Sequence, residues 1–180
     1  MNNKITIYTD GAAKGNPGRA GWGVVILLTP SPDKKSGTPP SQGERIIEIG
    51  GFSPHATNNI MELTAPIEAL KYLKKFPARV VLAGSIEIVS DSKYVILGIT
   101  EWILNWQKNN WRNANKKPVL NRELWEELYK LTQELTCPPK RRELKWTYVK
   151  GHNENKYNDR ADLIATSFAE GEPVKLENAR

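Results

Sequence analysis

The stretch ITIYTDGAAKGNPG, residues 5–18, contains a predicted strand, an acidic residue and a turn, and the remaining chain is interpreted from these three features. It begins with a β-rich apolar run of strand length, which stops at Asp10-Gly11 before the turn cluster Gly15-Asn16-Pro17-Gly18. Asp10 is therefore predicted at the end of a buried strand, where an unpaired carboxylate is unfavourable. Taken alone, this residue is either the cap of a turn or a metal ligand held by a rigid strand end.

Composition and charge narrow the class of protein. The chain has 180 residues, 39% of them hydrophobic, which is typical of one globular domain with a real core. A net charge of +6 favours a polyanionic partner. The single cysteine, Cys137, excludes an internal disulfide and disfavours a cysteine-based zinc site. Because neither a signal peptide nor a membrane-spanning run is recognisable, we expect a cytoplasmic protein that does not bind membranes, with monomer as the default state.

Hydrophobic periodicity predicts a mixture of strands and helices. Strands are expected near residues 5–10, 22–28, 44–51, 80–90 and 144–149, and the first three could form an antiparallel meander. Long helices are expected near residues 60–73, 123–135 and 159–169, with short ones over 93–100 and 101–110. A long polar connection covers residues 29–43, and Pro66 is expected to kink the first helix next to Glu62.

Four acidic residues occupy comparable places in this pattern. Asp10 and Asp91 follow apolar strands, whereas Glu62 and Asp162 lie near predicted helix starts. In an α/β sheet, strand ends and the neighbouring helices converge on one crevice. Converging carboxylates repel one another unless cations lie between them, and Mg²⁺ prefers oxygen ligands of this kind. The pattern therefore predicts a magnesium site, and two such ions would suit displacement at phosphorus.

Five segments in this order resemble ribonuclease H of type 1, and the resemblance covers nearly the whole chain. They are YTDGAAKGNPG, ATNNIMELTA, SDSKYV, ITEWILNWQKNNWRNANKKPVLN and VKGHNENKYNDRADLIA. The resemblance implies a five-stranded mixed sheet with helices on both sides, formed by a catalytic domain over residues 1–170. Residues 171–180 are expected to be a polar, frayed C-terminal tail.

The same resemblance implies an activity and a set of catalytic residues. The activity is endonucleolytic hydrolysis of the RNA strand of RNA–DNA hybrids with two Mg²⁺ ions, or Mn²⁺, giving 5′-phosphate and 3′-hydroxyl ends. The metal-binding and catalytic carboxylates map by motif onto Asp10, Glu62, Asp91 and Asp162, the last chosen over Asp159. The mobile histidine of the family maps onto His152, which is expected to assist proton movement or product release.

A basic stretch and a group of short polar residues are predicted to bind the substrate. No acidic residue occurs between Glu101 and Glu123, and tryptophans alternate there with basic side chains. Such a stretch is either a solvated helical face with core tryptophans or a surface for polyanions, and we favour the second. The resemblance implies hybrid contacts for Asn16, Thr57, Asn58, Asn59, Trp102, Trp106, Lys108, Trp111, Arg112, Lys116 and Lys117.

Two other functions fit part of this pattern. A catalytically inactive hybrid-binding module is one, but the presence of all four carboxylates and His152 argues against it. A ribonuclease H domain released from a reverse transcriptase polyprotein is the other. We expect a free-standing enzyme, because the basic stretch is present and both ends of the pattern are complete. We also expect no additional N-terminal hybrid-binding domain, because the catalytic strand starts at once.

Overall fold

The computed structural model describes residues 4–29, 45–75, 85–136, 143–151 and 155–177. Most of the polar connection over residues 29–43 lies outside this part of the chain, as do Cys137 and His152. In chain order the described elements are β1 (Lys4–Gly15), β2 (Gly18–Thr29), β3 (Arg45–Ala56), α1 (Asn58–Lys74), β4 (Ile86–Ser90), α2 (Lys93–Leu97), a π-helical turn (Gly98–Trp102), α3 (Ile103–Lys108), α4 (Arg122–Thr136), β5 (Leu144–Tyr148) and α5 (Lys156–Glu170).

The strands form one mixed sheet in the order β3-β2-β1-β4-β5. The strands β1, β2 and β3 are antiparallel neighbours, whereas β4 is parallel to β1 and β5 is parallel to β4. The predicted meander and the five-stranded mixed sheet are therefore confirmed. All of the predicted strands are present, although β1, β2 and β3 extend several residues beyond their predicted ends.

Helices cover both faces of the sheet, as predicted. On one face, Ile7 of β1 shares a buried cluster with Leu63 of α1 and Trp125 of α4. On the other face, Val25 of β2 packs with Ile164 of α5. Because side chains alternate along a strand, each central strand contributes to both clusters. The resulting core fixes α1 and α5 on opposite sides of β1.

Two glycines let these helices approach the sheet at the same level. A Cβ atom on Gly11 of β1 would collide with the backbone nitrogen of Glu62, and one on Gly23 of β2 would collide with the carbonyl oxygen of Ala161. Gly23 lies opposite Asp10 in the β1–β2 register. The close packing of α1 and α5 is therefore centred on Asp10, which places both helices next to its carboxylate.

Two local predictions are refined by the structure. The short helices predicted over residues 93–100 and 101–110 form one continuous helical segment, because a π-helical turn over Gly98–Trp102 connects α2 directly to α3. Gly98 lies against Trp125, where a side chain would not fit. Helix α1 runs from Asn58 to Lys74 as one element with Pro66 inside it, so the proline next to the turn of Glu62, where a kink was expected, does not end the helix.

The described part of the C-terminal segment, residues 171–177, is packed and not frayed. Gly171 ends α5 in the left-handed conformation, with a φ of 84°. Beyond it, Val174 and Leu176 pack against the cluster under α5. The backbone of Glu48 on β3 donates a hydrogen bond to the carbonyl of Glu177 at 2.7 Å. The sequence pattern missed this contact because the segment is mostly polar, and its partners lie far away in sequence.

Candidate active site

The structure brings the four predicted carboxylates together at one end of the sheet. Asp10, Glu62 and Asp91 each offer an oxygen atom, and these atoms all lie within 4.8 Å of one another. Asp162 approaches from α5 and shares a hydrogen bond with the carboxyl group of Asp10. Asp159 on the same helix is exposed to solvent. The four residues come from four separate elements, so only the complete fold assembles them.

The position of Asp10 within β1 differs from the prediction. The strand does not end there, because its antiparallel pairing with β2 continues as far as Gly15. Its parallel pairing with β4, in contrast, ends at Tyr8 opposite Val89. Asp10 therefore lies just beyond the point at which β4 ends and the chain turns away after Ser90. This gap beside a continuing strand gives a buried carboxylate its access to the crevice.

Local hydrogen bonds orient Glu62 at the start of α1. Thr57 is the N-cap of this helix, and its hydroxyl accepts a hydrogen bond from the backbone of Ile60. The side-chain amide of Asn58, one turn before Glu62, donates to Glu62 Oε1 at 3.3 Å. Ser92, the N-cap of α2, lies beside the Glu62 carboxylate and acts to lower its pKa. Residues of two helix starts therefore act on Glu62, and sequence reasoning did not identify Ser92.

Helix α5 presents two functional side chains to this cluster. Asp162 lies in the second turn of the helix and not at its start, where the sequence pattern had placed it. One turn earlier on the same helix face, Asn158 donates from Nδ2 to Asp91 Oδ2 at 3.3 Å. Asn158 is buried. Sequence reasoning missed it, although a spacing of four residues before Asp162 could have indicated it.

Burial and mutual repulsion raise the pKa values of the central acids. Burial is the largest cause for Asp10, followed by the charges of Asp91 and Asp162, and together they raise its pKa to about 8. A backbone N–H from Gly11 opposes this shift. Burial and the charges of Asp10 and Asp91 likewise raise the pKa of Glu62 well above its usual range. The fold therefore concentrates negative charge that it does not itself neutralise.

A divalent cation fits this arrangement. The oxygen donors are close enough to share one ion or an adjacent pair, and hard cations such as Mg²⁺ prefer carboxylate oxygens. The Oε2 atom of Glu62 is buried and has no hydrogen-bond partner among the described residues. A cation at this place would satisfy that atom and would remove the repulsion that raises the acid pKa values.

The predicted substrate-binding residues near α1 lie beside the acid cluster. Asn16, in the β1–β2 turn, accepts a hydrogen bond from the backbone of Asn58 at 3.2 Å. This contact fixes the turn against the start of α1, which also carries Thr57. Asn59 is exposed next to them. Four short polar side chains thus border the crevice, close to Glu62.

The basic stretch begins in the π-helical turn and α3, whose last residue is Lys108, and continues as an exposed loop after that helix. Arg112 donates to the carbonyl oxygen of Lys116 at 2.7 Å, and Asn113 accepts backbone hydrogen bonds from within the loop. In the described part of the chain, no ion pair with a carboxylate is formed by any of the exposed basic residues Lys108, Arg112, Lys116 and Lys117. Their charges are therefore available to a polyanion.

The tryptophans of this region act mainly as packing residues. Trp106 contacts the rings of Trp102, Trp111 and Trp125 at centroid distances of 5.4–6.4 Å. Trp125 and Trp111 are both buried, and the Arg122 guanidinium lies over the Trp111 ring. Trp111 therefore has almost no surface to offer a substrate, in contrast to the prediction. Trp102 and Trp106 are half-buried and keep some exposed surface.

Comparisons with known proteins show the family to which the chain belongs. A family model described as RNase H matches residues 2–170. A protein named Ribonuclease H from Thermosynechococcus vestitus is 42% identical over 176 residues, which are 98% of this chain and 95% of that protein.

Solved structures show the same fold. A type 1 RNase H structure, LC9-RNase H1, described as having the type 2 active-site motif, matches with a TM-score of 0.76 at 22% identity, covering 99% of this chain and 79% of the other. LC11-RNase H1 in complex with RNA/DNA hybrid matches with a TM-score of 0.59 at 27% identity, covering 93% and 97% of the two chains.

Proposed function

Because the chain belongs to the ribonuclease H family, it is a hydrolase, and we propose that it cuts the RNA strand of RNA–DNA hybrids internally by two-metal-ion catalysis. The products would carry 5′-phosphate and 3′-hydroxyl ends. The single observation that carries the proposal is the convergence of three carboxylate oxygens within 4.8 Å, with Asp162 hydrogen-bonded to Asp10. A hybrid bound to the LC11-RNase H1 neighbour supports the choice of substrate.

The acid cluster would hold the metal ions, with Mg²⁺ as the expected species and Mn²⁺ as a substitute. When bound, these ions supply the positive charge that activates a water molecule and stabilises the leaving 3′ oxygen. Asp10, Glu62 and Asp91 would be the principal ligands, because their oxygen atoms lie within 4.8 Å of one another, and Asp10 also interacts with Asp162. Asp162 would complete the set from α5.

Other residues of the chain would bind the hybrid and move protons. Asn16, Thr57, Asn58 and Asn59 border the crevice, where they could contact the sugar–phosphate backbone and the 2′-hydroxyl groups that distinguish RNA from DNA. Trp102 and Trp106 would offer their exposed edges to the sugars. His152 lies outside the described residues, and its part in proton movement or product release stays a prediction, as do a monomeric state and a cytoplasmic location.

Cleavage of matched duplexes tests this function directly. The protein is incubated with Mg²⁺ and labelled RNA–DNA hybrid, duplex DNA or duplex RNA of one sequence. We expect cleavage of the RNA strand in the hybrid alone. The variant Asp10→Asn should reduce the rate by roughly three orders of magnitude or more while hybrid binding persists, because it removes a central charge and little volume. Cleavage by this variant at near the wild-type rate would show that Asp10 is not catalytic.

Binding by the basic loop has its own test. Replacing the four exposed basic residues with glutamine should raise KM far more than it lowers kcat, because these contacts would be common to ground and transition states. The salt dependence of binding should flatten by roughly one unit of slope per lost phosphate contact. The set to be replaced is Lys108, Arg112, Lys116 and Lys117.

A variant with the same change in net charge provides the control. It replaces lysines that already pair with glutamates, so the charge falls equally but no free cation is lost from the loop. An unchanged salt slope in the loop variant, or equal slopes in both variants, would show that the loop does not lie on the nucleic acid. The control set is Lys4, Lys71, Lys74 and Lys145.

A further inference from the structure

Asn158 makes a contact that gives it a place in the active site. Its side chain is only 2% exposed, and its Nδ2 atom donates to Asp91 Oδ2 at 3.3 Å. The residue belongs to the first turn of α5, whose N-cap Asn155 accepts hydrogen bonds from the backbone of Tyr157 and Asn158. The amide is therefore fixed by the helix start and is aimed at a carboxylate on another element.

The same oxygen of Asp91 is enclosed from a second direction. A Cβ atom built on Gly151 would lie 2.6 Å from Asp91 Oδ2, so the backbone after β5 approaches this atom too closely for any side chain. Asp91 Oδ2 thus lies between the Gly151 backbone and the Asn158 amide. Contacts on one oxygen from two directions restrict the rotation of the Asp91 carboxylate, which also lies beside Asp10 and Glu62.

The orientation of the Asn158 amide is set by the carboxylate of Asp91. Its Oδ1 atom is buried and has no partner among the described residues. A flipped amide would place this oxygen against the Asp91 carboxylate, and two acceptors would then repel each other. In the observed orientation the Asn158 carbonyl stays unpaired, which is unfavourable, but the amide donates to Asp91. The hydrogen bond to Asp91 therefore decides the orientation of the amide.

We propose that Asn158 is a positioning residue that fixes the Asp91 carboxylate for metal binding, an inference that rests on the proposed metal-dependent nuclease function. Asn158 and Asp162 lie one turn apart on α5, so a single helix face would orient one ligand and supply another. Removing a partner that holds a metal ligand in this way typically lowers metal affinity or activity by about 10- to 100-fold.

Three variants of the full-length protein test this role. Asn158→Ala removes the donor, and Asn158→Leu removes it while keeping a branched side chain with the same number of heavy atoms. The control is Ser167→Ala, which removes a buried hydroxyl of α5 that bonds the Ile164 carbonyl and the Val174 backbone, away from the acids. Mg²⁺ affinity is measured by titration calorimetry without nucleic acid, thermal stability in EDTA, and kcat and KM on the hybrid.

We expect both Asn158 variants to bind Mg²⁺ roughly tenfold more weakly and to lose about 10- to 100-fold in kcat, with KM for the hybrid nearly unchanged. Ser167→Ala should lower the melting temperature but leave Mg²⁺ affinity and kcat at wild-type values. A loss confined to the melting temperature in all three variants would overturn the proposal, because Asn158 would then be structural only.

Failure of this inference can be separated from failure of the proposed function. If the wild type cleaves hybrid and the Asn158 variants equal it in Mg²⁺ affinity and kcat, positioning by Asn158 is wrong while the nuclease function stands. If the wild type cleaves no hybrid, the proposed function is wrong, and the calorimetric comparison still decides whether Asn158 controls metal binding.

Discussion

The buried carboxylate of Glu48 and those of Asp10 and Glu62 in the acid cluster have pKa values shifted in opposite directions. Glu48 on β3 is 3% exposed, which is less than the 6% and 8% of Asp10 and Glu62. Burial alone would therefore raise the pKa of all three. The pKa of Glu48 is nevertheless lowered, whereas those of Asp10 and Glu62 are raised. The difference lies in the partners that the fold supplies to each group.

Glu48 is fully neutralised within the chain. Burial acts to raise its pKa, but the side chain of Arg160 donates to both carboxylate oxygens at 2.7 Å and the backbone N–H of Glu177 donates at 2.8 Å. Arg160 also donates to the carbonyl oxygen of Lys175. A single ion pair thus fastens β3, α5 and the C-terminal segment together. Such bidentate pairs are the strongest that proteins form.

The acid cluster receives no comparable partner from the described residues. Asp10 accepts a hydrogen bond from the backbone of Gly11 and shares one with Asp162, and Glu62 accepts one from the side-chain amide of Asn58. None of these partners carries a positive charge. Glu48 is thus paired with an arginine, whereas Asp10 and Glu62 have no basic side chain beside them among the described residues. The comparison shows that a buried carboxylate with a raised pKa indicates a binding site for a cation from outside the chain. A buried carboxylate with a lowered pKa, such as Glu48, indicates an ion pair that holds parts of the fold together.

The largest expected change in stability follows from removing the Glu48–Arg160 ion pair. Arg160→Met leaves Glu48 buried without its cation, so we expect the free energy of unfolding to fall by about 3 kcal/mol. For a chain of this size the melting temperature should then decrease by roughly 6–12 °C. Thermal and urea unfolding measure both quantities.

Two controls sharpen this prediction. Adding Glu48→Gln to Arg160→Met should recover much of the loss, because the unpaired charge is gone. Lys145→Met removes a lysine whose exposed ammonium lies 3.8 Å from Glu87, and it should cost less than about 1 kcal/mol. If Arg160→Met lowers the free energy of unfolding no more than Lys145→Met does, the packing of α5 against β3 does not depend on the Glu48–Arg160 pair.

A smaller effect is expected in the pH dependence of the metal-free protein. The pKa of Asp10 is about 8 when folded against 3.8 ordinarily, so the folded state holds its proton more tightly. This contribution to stability is complete below the unfolded pKa and is lost as the pH rises through the folded pKa. In EDTA, the melting temperature should therefore fall between about pH 5 and about pH 9.

The variant Asp10→Asn tests the assignment of this slope. It should flatten the decline, because the amide does not titrate. Glu48 does not interfere, since a lowered pKa gives a contribution that is lost only as the pH falls below the carboxylate range. Equal slopes in both proteins would mean that Asp10 does not carry the pH dependence.

The smallest effect is expected from Asp162. Asp162→Asn removes one of the charges that raise the pKa of Asp10, so the melting temperature in EDTA at neutral pH should increase by a few degrees. The gain on adding Mg²⁺ should shrink, since a cation that binds only the folded state stabilises it by mass action. A lower melting temperature in EDTA together with an undiminished Mg²⁺ gain would remove Asp162 from the cluster.

The sequence by itself determined the class of fold and the identity of the acids. Alternation in Ile5–Tyr8, the turn after Gly15 and the helical spacing of Ile60–Leu73 are local, and local backbone preferences follow from side-chain shape and periodicity. The order of the five motifs added the family and with it the choice of Asp162 over Asp159. These inferences needed no knowledge of which elements are neighbours.

Only the tertiary structure decided which charge meets which partner. Glu48 and Arg160 are 112 positions apart, and Asn158 is 67 positions from Asp91, so neither pairing leaves a local pattern. The continuation of β1 beyond Asp10 depends on β2, and the burial of Trp111 depends on the aromatic rings around it. The physical reason is that sheet order, register and close helix packing are properties of the whole chain, whereas periodicity is a property of a segment.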